Sequence, residues 1–277
     1  MIELGNYNKL QILRSTSVGL FLGDDTGTEV LLPNKFVPEE YQIGEEIKIF
    51  CYLDNEERPV ATTQRPKVIR DRFAFLEVVD INTYGAFLDW GLDKQLFVPF
   101  SEQSSKMQLH KKYVVYCFLD EQTFRLAASS RVERFLKNQE VSISEGDKVD
   151  LMIYRRTELG WQVIINDTYL GLLFNSDVFG PIKVGDSKTG YVKNIRQDNK
   201  IDIVLQPQGV LALEPAAEKI YNRLQSSEGF LGLHDKSPAE NIYEQLQMSK
   251  KTFKKAIGAL YKKKMITIKP DGIYLKE

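Results

Sequence analysis

Two five-residue stretches, Phe50-Cys51-Tyr52-Leu53-Asp54 and Tyr116-Cys117-Phe118-Leu119-Asp120, spell one pattern twice at an offset of 66 residues. Each is an aromatic-rich apolar run closed by an acid. The same offset lays Gly19-Leu20-Phe21-Leu22 on Gly85-Ala86-Phe87-Leu88 and Leu32-Pro33 on Val98-Pro99. After one inserted residue, Arg58-Pro59-Val60-Ala61-Thr62-Thr63 falls on Arg125-Leu126-Ala127-Ala128-Ser129-Ser130. Chance matches do not keep one register across separate segments, so this is a duplicated module. The first half of the chain is therefore two small domains.

Within the first copy, short alternating runs at Leu10 to Leu13, Val18 to Leu22, Glu29 to Leu32, Glu46 to Leu53 and Val60 to Thr62 read as five strands. The longest connection, Pro33 to Gly44, lies between the third and fourth. That is the layout of an OB-fold, a small Greek-key barrel. The five runs recur in the second copy. A third, diverged copy without the cysteine motif follows Leu136, with Asn166-Asp167 as a tight hairpin. From Pro215 the apolar period lengthens to about 3.6 residues. Ala217, Ile220, Tyr221 and Leu224 form one helical stripe, and Ile242, Leu246 and Met248 lie on or just beyond a second. Ser249 caps a third helix that buries Phe253, Ala256, Ile257 and Leu260. Pro270-Asp271-Gly272 then turns a terminal hairpin. The expected fold is mainly β: three tandem OB-fold barrels (1–64, 65–137 and 138–212) followed by an α+β winged helix-turn-helix domain (213–277).

Charge separates these parts. Residues 1–214 carry 25 basic and 31 acidic side chains, whereas 215–277 carry 12 basic and 7 acidic. Lys250 to Lys269 holds eight lysines and no acid. On a helix starting after Ser249, Lys251, Lys255, Gly258 and Lys262 share one stripe opposite the apolar one. Such a stripe neutralises phosphates without reading sequence, and the same helix is the recognition element of a winged helix. A solvated lysine face is the bland alternative.

No apolar run approaches the roughly 18 residues of a membrane span, and no secretory signal pattern opens the chain, so a cytoplasmic protein without a membrane partner is expected. Cys51 and Cys117 occupy equivalent positions and read as packing residues. With two cysteines and two histidines the chain is poor in zinc ligands, and no metal or other cofactor is expected. Lys188-Thr189 lacks the glycine that a phosphate-binding loop places before its lysine, because Ser187 stands there. Neither histidine has a nucleophile partner. The chain reads as a non-enzyme with no small-molecule substrate.

Tyr84-Gly85-Ala86-Phe87 and Leu96-Phe97-Val98-Pro99-Phe100-Ser101 resemble two characteristic strands of the S1 RNA-binding domain, a branch of the OB-folds. The resemblance implies an RNA face of exposed rings, an acid after strand four and an arginine early in strand five. Here these are Tyr84, Phe87 and Phe97 with Asp120 and Arg125. The family's histidine on the third strand is Pro99 here. In the first copy Phe21, Asp54 and Arg58 persist, but Val18 replaces the tyrosine. In the third copy Leu159, Gln162 and Asp202 occupy the site positions, so Tyr169, Lys193 and Arg196 become its candidates. The competing reading of such strand aromatics is half-buried barrel packing.

The whole order of modules resembles the conserved virulence factor B (CvfB) family of Gram-positive bacteria. Tyr116 to Asp120, the Asn194 to Asp202 run and Met248-Ser249-Lys250-Lys251 carry that resemblance most clearly. It implies an RNA-binding regulator of virulence-gene expression that acts after transcription. Single-stranded RNA is the expected partner. Competing readings are duplex DNA bound through the winged helix, and a scaffold on ribosomes or RNA-processing complexes.

Overall fold

The computed structural model describes residues 2–178, 180–206 and 215–276. Three five-stranded closed barrels follow one another. The first comprises β1 (Tyr7–Thr16), β2 (Gly19–Gly23), β3 (Glu29–Pro33), β4 (Glu46–Leu53) and β5 (Pro59–Thr62). The second comprises β6 (Arg72–Ile81), β7 (Gly85–Asp89), β8 (Leu96–Pro99), β9 (Lys112–Leu119) and β10 (Leu126–Ser129). The third comprises β11 (Lys148–Arg156), β12 (Gly160–Ile165), β13 (Tyr169–Phe174), β14 (Ser187–Ile195) and β15 (Ile201–Val204). Each closes in the same strand order, with its third and fifth strands parallel. The fold is thus mainly β with OB-type barrels.

Two backbone devices recur in all three barrels and make the third one legible as a copy. The first strand of each slips register once, between Ile12 and Arg14, Val78 and Asp80, and Ile153 and Arg155. A bulge there bends the strand so that it can pair on both edges of a small barrel. Each second strand opens on a glycine that lies against the facing strand. A Cβ at Gly19, Gly85 or Gly160 would stand 2.1, 2.3 or 2.1 Å from the carbonyl oxygen of Leu32, Val98 or Leu173. The Asn166-Asp167 pair takes left-handed φ angles of 48° and 52°, as a tight two-residue hairpin requires.

The repeated motif sorts its residues by strand alternation. Cys51 and Cys117 point into the barrel cores and are fully buried. The rings on either side point outward and join neighbouring domains. Phe50 and Tyr52 meet Trp90 of the second barrel edge-on, at centroid distances of 5.8 and 6.4 Å. Trp90 is 2% exposed. Tyr116 and Phe118 instead stack on Phe135, at 4.1 and 5.7 Å, in the connection to the third barrel. Phe73, Val114, Val132 and Ile164 bury the rest of that junction. The backbone joins in as well, since Arg70 N donates to Gly5 O at 2.8 Å and Phe73 N to Asp167 Oδ1 at 3.2 Å.

Beyond the barrels lie α1 (Pro215–Ser226), α2 (Ala239–Leu246) and α3 (Lys250–Lys262). The short β16 (Phe230–Leu231) pairs with β18 (Gly272–Leu275), which pairs with β17 (Ile266–Lys269). This is the winged helix arrangement. The strand β16, too short for any periodicity, was not expected from the sequence. The apolar stripes of the three helices are buried together with Leu231, Leu233, Ile266 and Ile273. Ser249 caps α3, its side chain accepting from Thr252 N. The expected boundary between the third barrel and the winged helix, 212/213, lies outside the described residues. Among the described residues no helix is long and apolar enough to cross a membrane.

Two outcomes follow from this packing. Burial pushes the thiols of Cys51 and Cys117 up to about 12, so little thiolate exists at neutral pH. A thiol-titrating reagent should find neither cysteine in the native protein and both after denaturation. Replacing Trp90 by alanine should cost roughly 3–5 kcal/mol, as large aromatic truncations in a core do. Denaturant unfolding followed by circular dichroism checks this through a lowered midpoint.

Candidate nucleic-acid interface

The second barrel carries its outward-facing rings on β7, β8 and the turn before β7, with Phe87 and Phe97 half-buried and Tyr84 exposed. Asn82 builds that turn by accepting from Tyr84 N at 2.8 Å and Gly85 N at 3.2 Å. The turn leaves Tyr84 on the surface, 75% exposed. Strand alternation puts Phe87 and Phe97 on the same outer face, directly paired across β7 and β8. Their rings tilt against one another with centroids 5.1 Å apart. Gly85 makes this possible, because any side chain there would collide with Val98, Pro99 and the Phe97 ring.

Docking of the first barrel turns this face into one wall of a cleft of about 780 Å³. Tyr84, Phe87, Phe97, Asp120 and Arg125 all line it, so the structure brings the five second-copy candidates together. Tyr52, Asn55 and Glu57 of the first barrel form the opposite side. Lys94 reaches in from the second barrel, its Nζ donating to Asp54 O at 2.7 Å. Burial, then the Arg125 charge, lowers its pKa below that of an ordinary lysine. Lys94 was missed by sequence reasoning because it lies in a loop without periodicity. Phe124 stands 63% exposed beside Arg125 at a left-handed φ of 56°, outside the residues that line the cleft.

The acid and the arginine after it play different parts in the two copies. Asp54 forks Arg58, accepting from Nε at 3.0 Å and Nη2 at 2.8 Å, and Arg58 also reaches Glu56 at 2.8 Å. Burial works to raise the pKa of Asp54, but the Arg58 hydrogen bonds outweigh it and hold the carboxyl below its usual range. Asp120 makes no such fork. Its Oδ1 accepts from Thr123 N at 2.8 Å, Gln122 N at 2.9 Å and Thr123 Oγ1 at 3.1 Å, which lowers its pKa, with Thr123 the main cause. The inserted residue lengthens this loop, and Arg125 pairs instead with Glu57 across the cleft. Asp120 is therefore a turn-forming residue at the rim, its carboxylate directed into its own loop.

The other two barrels are less open at the corresponding face. Arg14 covers the Phe21 ring, its guanidinium carbon 4.3 Å from the centroid, and forks Glu29. In the third barrel Tyr169 is a correction. It is 5% exposed, its hydroxyl bonded to Ser142, because its position on β13 has the inward parity. No base can stack on it. Lys193 is held by Asp177 at 2.9 Å, and Arg196 forks Asp202 at 3.1 and 2.8 Å, so both cations are engaged within the barrel. The face there is aliphatic, with Leu159 and Leu172 lining a cleft of about 560 Å³. On α3, Lys251, Lys255 and Lys262 are all exposed, opposite the buried stripe. Among the described residues no group of three or more His, Cys, Asp or Glu gathers as metal ligands.

Comparison with known proteins agrees with this division. Residues 4–64 match the S1 domain family model, and residues 218–275 match that of the CvfB-like winged helix domain. Both are nucleic-acid-binding types. The uncharacterized protein YitL of Bacillus subtilis is 29% identical over 269 residues, covering 93% of this chain and 89% of its own. Conserved virulence factor B of Staphylococcus epidermidis is 26% identical over 281 residues, covering 98% and 94%. Its Staphylococcus aureus USA300 counterpart is 26% identical, covering 86% and 81%. A crystal structure of a multidomain protein with nucleic acid binding domains from Streptococcus pneumoniae covers 99% of this chain and 98% of its own, at 23% identity and a TM-score of 0.42.

The tight approach at Gly85 can be tested without any ligand. Gly85→Ala should force β7 from β8 and lower the thermal midpoint, as strained core insertions worth ~1–3 kcal/mol do. A melting curve unchanged from that of the parent chain would contradict the packing described.

Proposed function

We propose that this chain, which resembles the conserved virulence factor B proteins along almost its whole length and carries their type of winged helix domain, binds single-stranded RNA and regulates gene expression after transcription. In this reading it works in the cytoplasm and performs no catalysis. The observation that carries the proposal is the convergence of Tyr84, Phe87, Phe97 and Arg125 in one cleft between two barrels. Rings recessed in a cleft are met by unstacked bases, whereas a duplex keeps its base faces stacked inside. Arg125 and Lys94 supply cationic groups beside the rings. Glu57 is the competitor, since an incoming phosphate must take Arg125 from it.

Removing the rings tests the cleft. Each stacked base is worth roughly 1–3 kcal/mol, so the Tyr84→Ala, Phe87→Ala double variant should lose at least about tenfold in affinity for unstructured RNA in a filter-binding titration. Unchanged affinity would take the second barrel out of the site. Glu57→Gln should act in the opposite direction and tighten binding, because the rival carboxylate is gone. For every variant that still binds, affinity should fall steeply with added salt.

A second reading, duplex DNA bound by the winged helix, has its own observation in the exposed lysines of α3. Parallel titrations with single-stranded RNA and duplex DNA separate the two. Tighter binding of the duplex, insensitive to the Tyr84 and Phe87 substitutions, would favour this second reading.

A further inference from the structure

Among the described residues, most ion-paired arginines are held close. Arg14, Arg58, Arg125, Arg134, Arg155 and Arg196 each have a carboxylate oxygen within 3.0 Å. Arg70 and Arg72 do not. Arg70 stands 3.4 Å from Asp71 and 3.8 Å from Glu3, and Arg72 stands 3.4 Å from Asp167. A good charged hydrogen bond measures roughly 2.7–2.9 Å. Yet Arg70 is the most buried of these arginines, its side chain 23% exposed, and its closest contact is to a neutral acceptor, Nη1 donating to Leu4 O at 3.1 Å. Neutral donors draw the carboxylates away. Asp71 Oδ1 accepts from the Tyr116 hydroxyl at 3.2 Å, and Asp167 Oδ1 from Phe73 N at 3.2 Å. A partly buried cation so loosely compensated is costly, and a further anion would complete its surroundings.

Both arginines line one cavity of about 590 Å³ where the three barrels meet. Asn6 comes from the first barrel, and Arg70, Arg72 and Tyr116 come from the second. Lys137, whose backbone N donates to Thr168 O at 2.8 Å, lies against the third. Arg70, Arg72 and Lys137 outweigh Asp71 and Asp167 there, so the lining is net positive. None of its residues belongs to the cleft that holds Tyr84. We propose that this junction is an anion site that takes a phosphate monoester between Arg70, Arg72 and Lys137 and so clamps the three barrels together. Guanidinium forks match pairs of phosphate oxygens, and the lysine adds a point charge. The volume suits a ligand the size of a mononucleotide. The monoester can come from a free nucleotide or from the 5′ end of an RNA strand. The inference goes beyond RNA binding in the cleft and does not depend on it.

Isothermal titration of the full chain with uridine 5′-monophosphate, and with uridine as its uncharged counterpart, tests the site. The monophosphate should bind saturably and uridine should not. Arg72 and Lys137 are exposed, so Arg72→Gln with Lys137→Gln should leave the fold intact, as circular dichroism checks. That double variant should weaken phosphate binding at least about tenfold. Asp167→Asn keeps an acceptor for Phe73 N but removes the competing charge, and should tighten binding a few-fold. Oligouridine with and without a 5′-phosphate separates the sources. A preference for the phosphorylated end that vanishes in the double variant assigns the site to RNA termini; monophosphate binding without that preference assigns it to free nucleotides. If neither probe gains from its phosphate, or if the substitutions change nothing, the proposal is overturned. The Tyr84→Ala, Phe87→Ala variant should bind the monophosphate like the parent chain, which keeps this site apart from the cleft.

Discussion

Alternation along one strand holds the barrels together. In β4 and β9 the side chains of an aromatic–cysteine–aromatic triplet point alternately out, in and out. The small thiol fills the narrow interior of a five-stranded barrel, where a larger ring would overpack it. The flanking rings, barred from that interior, become the adhesive between domains: Phe50 and Tyr52 against Trp90, Tyr116 and Phe118 against Phe135. Aromatic pairs of this kind add to the burial of apolar area and restrict the approach angle. Successive barrels are thereby docked through equivalent strands, rather than strung on loose linkers.

The cleft is a consequence of that docking. A single S1-type barrel offers rings on an open surface. Here the turn after β4, with Asn55 and Glu57, faces the rings of the second barrel and closes their open side. The electrostatics depend on the same geometry. One additional residue in the turn after β9 separates Arg125 from its own Asp120, and the nearest carboxylate is then Glu57 in another domain. The pair is about half exposed on both sides. Such solvent-exposed pairs contribute little to stability, so the arginine is readily given up to a phosphate.

The three barrels have diverged at the same face while keeping the same frame. The bulge in the first strand and the glycine opening the second are common to all. The positions around that glycine read Val18 and Phe21, then Tyr84 and Phe87, then Leu159 and Gln162. Only the middle set combines an exposed ring with a second ring behind it. Backbone constraints are shared because closure of a small barrel demands them; the outward residues are free to vary because closure does not involve them.

Much of this was legible in the chain. The strict 66-residue offset marked two domains, the five-strand spacing marked their barrels, and the change of period at Pro215 marked the helices, because each signal is local or repeats at a fixed distance. Tyr84, Phe87, Phe97 and Arg125 were named through the resemblance of their strands to the S1 domain, and the structure gathers them in one cleft. Tyr169 was misread since composition names a ring without saying which face of the strand it occupies, and parity decided that. Lys94 and Phe124 sit in turns, where no period reports orientation. The sequence by itself determined the modules, their order and the basic helix, all properties of short segments. Which barrel faces another, which carboxylate meets Arg125 and that the rings lie in a cleft were decided only by tertiary structure, because they depend on packing between residues far apart in the chain.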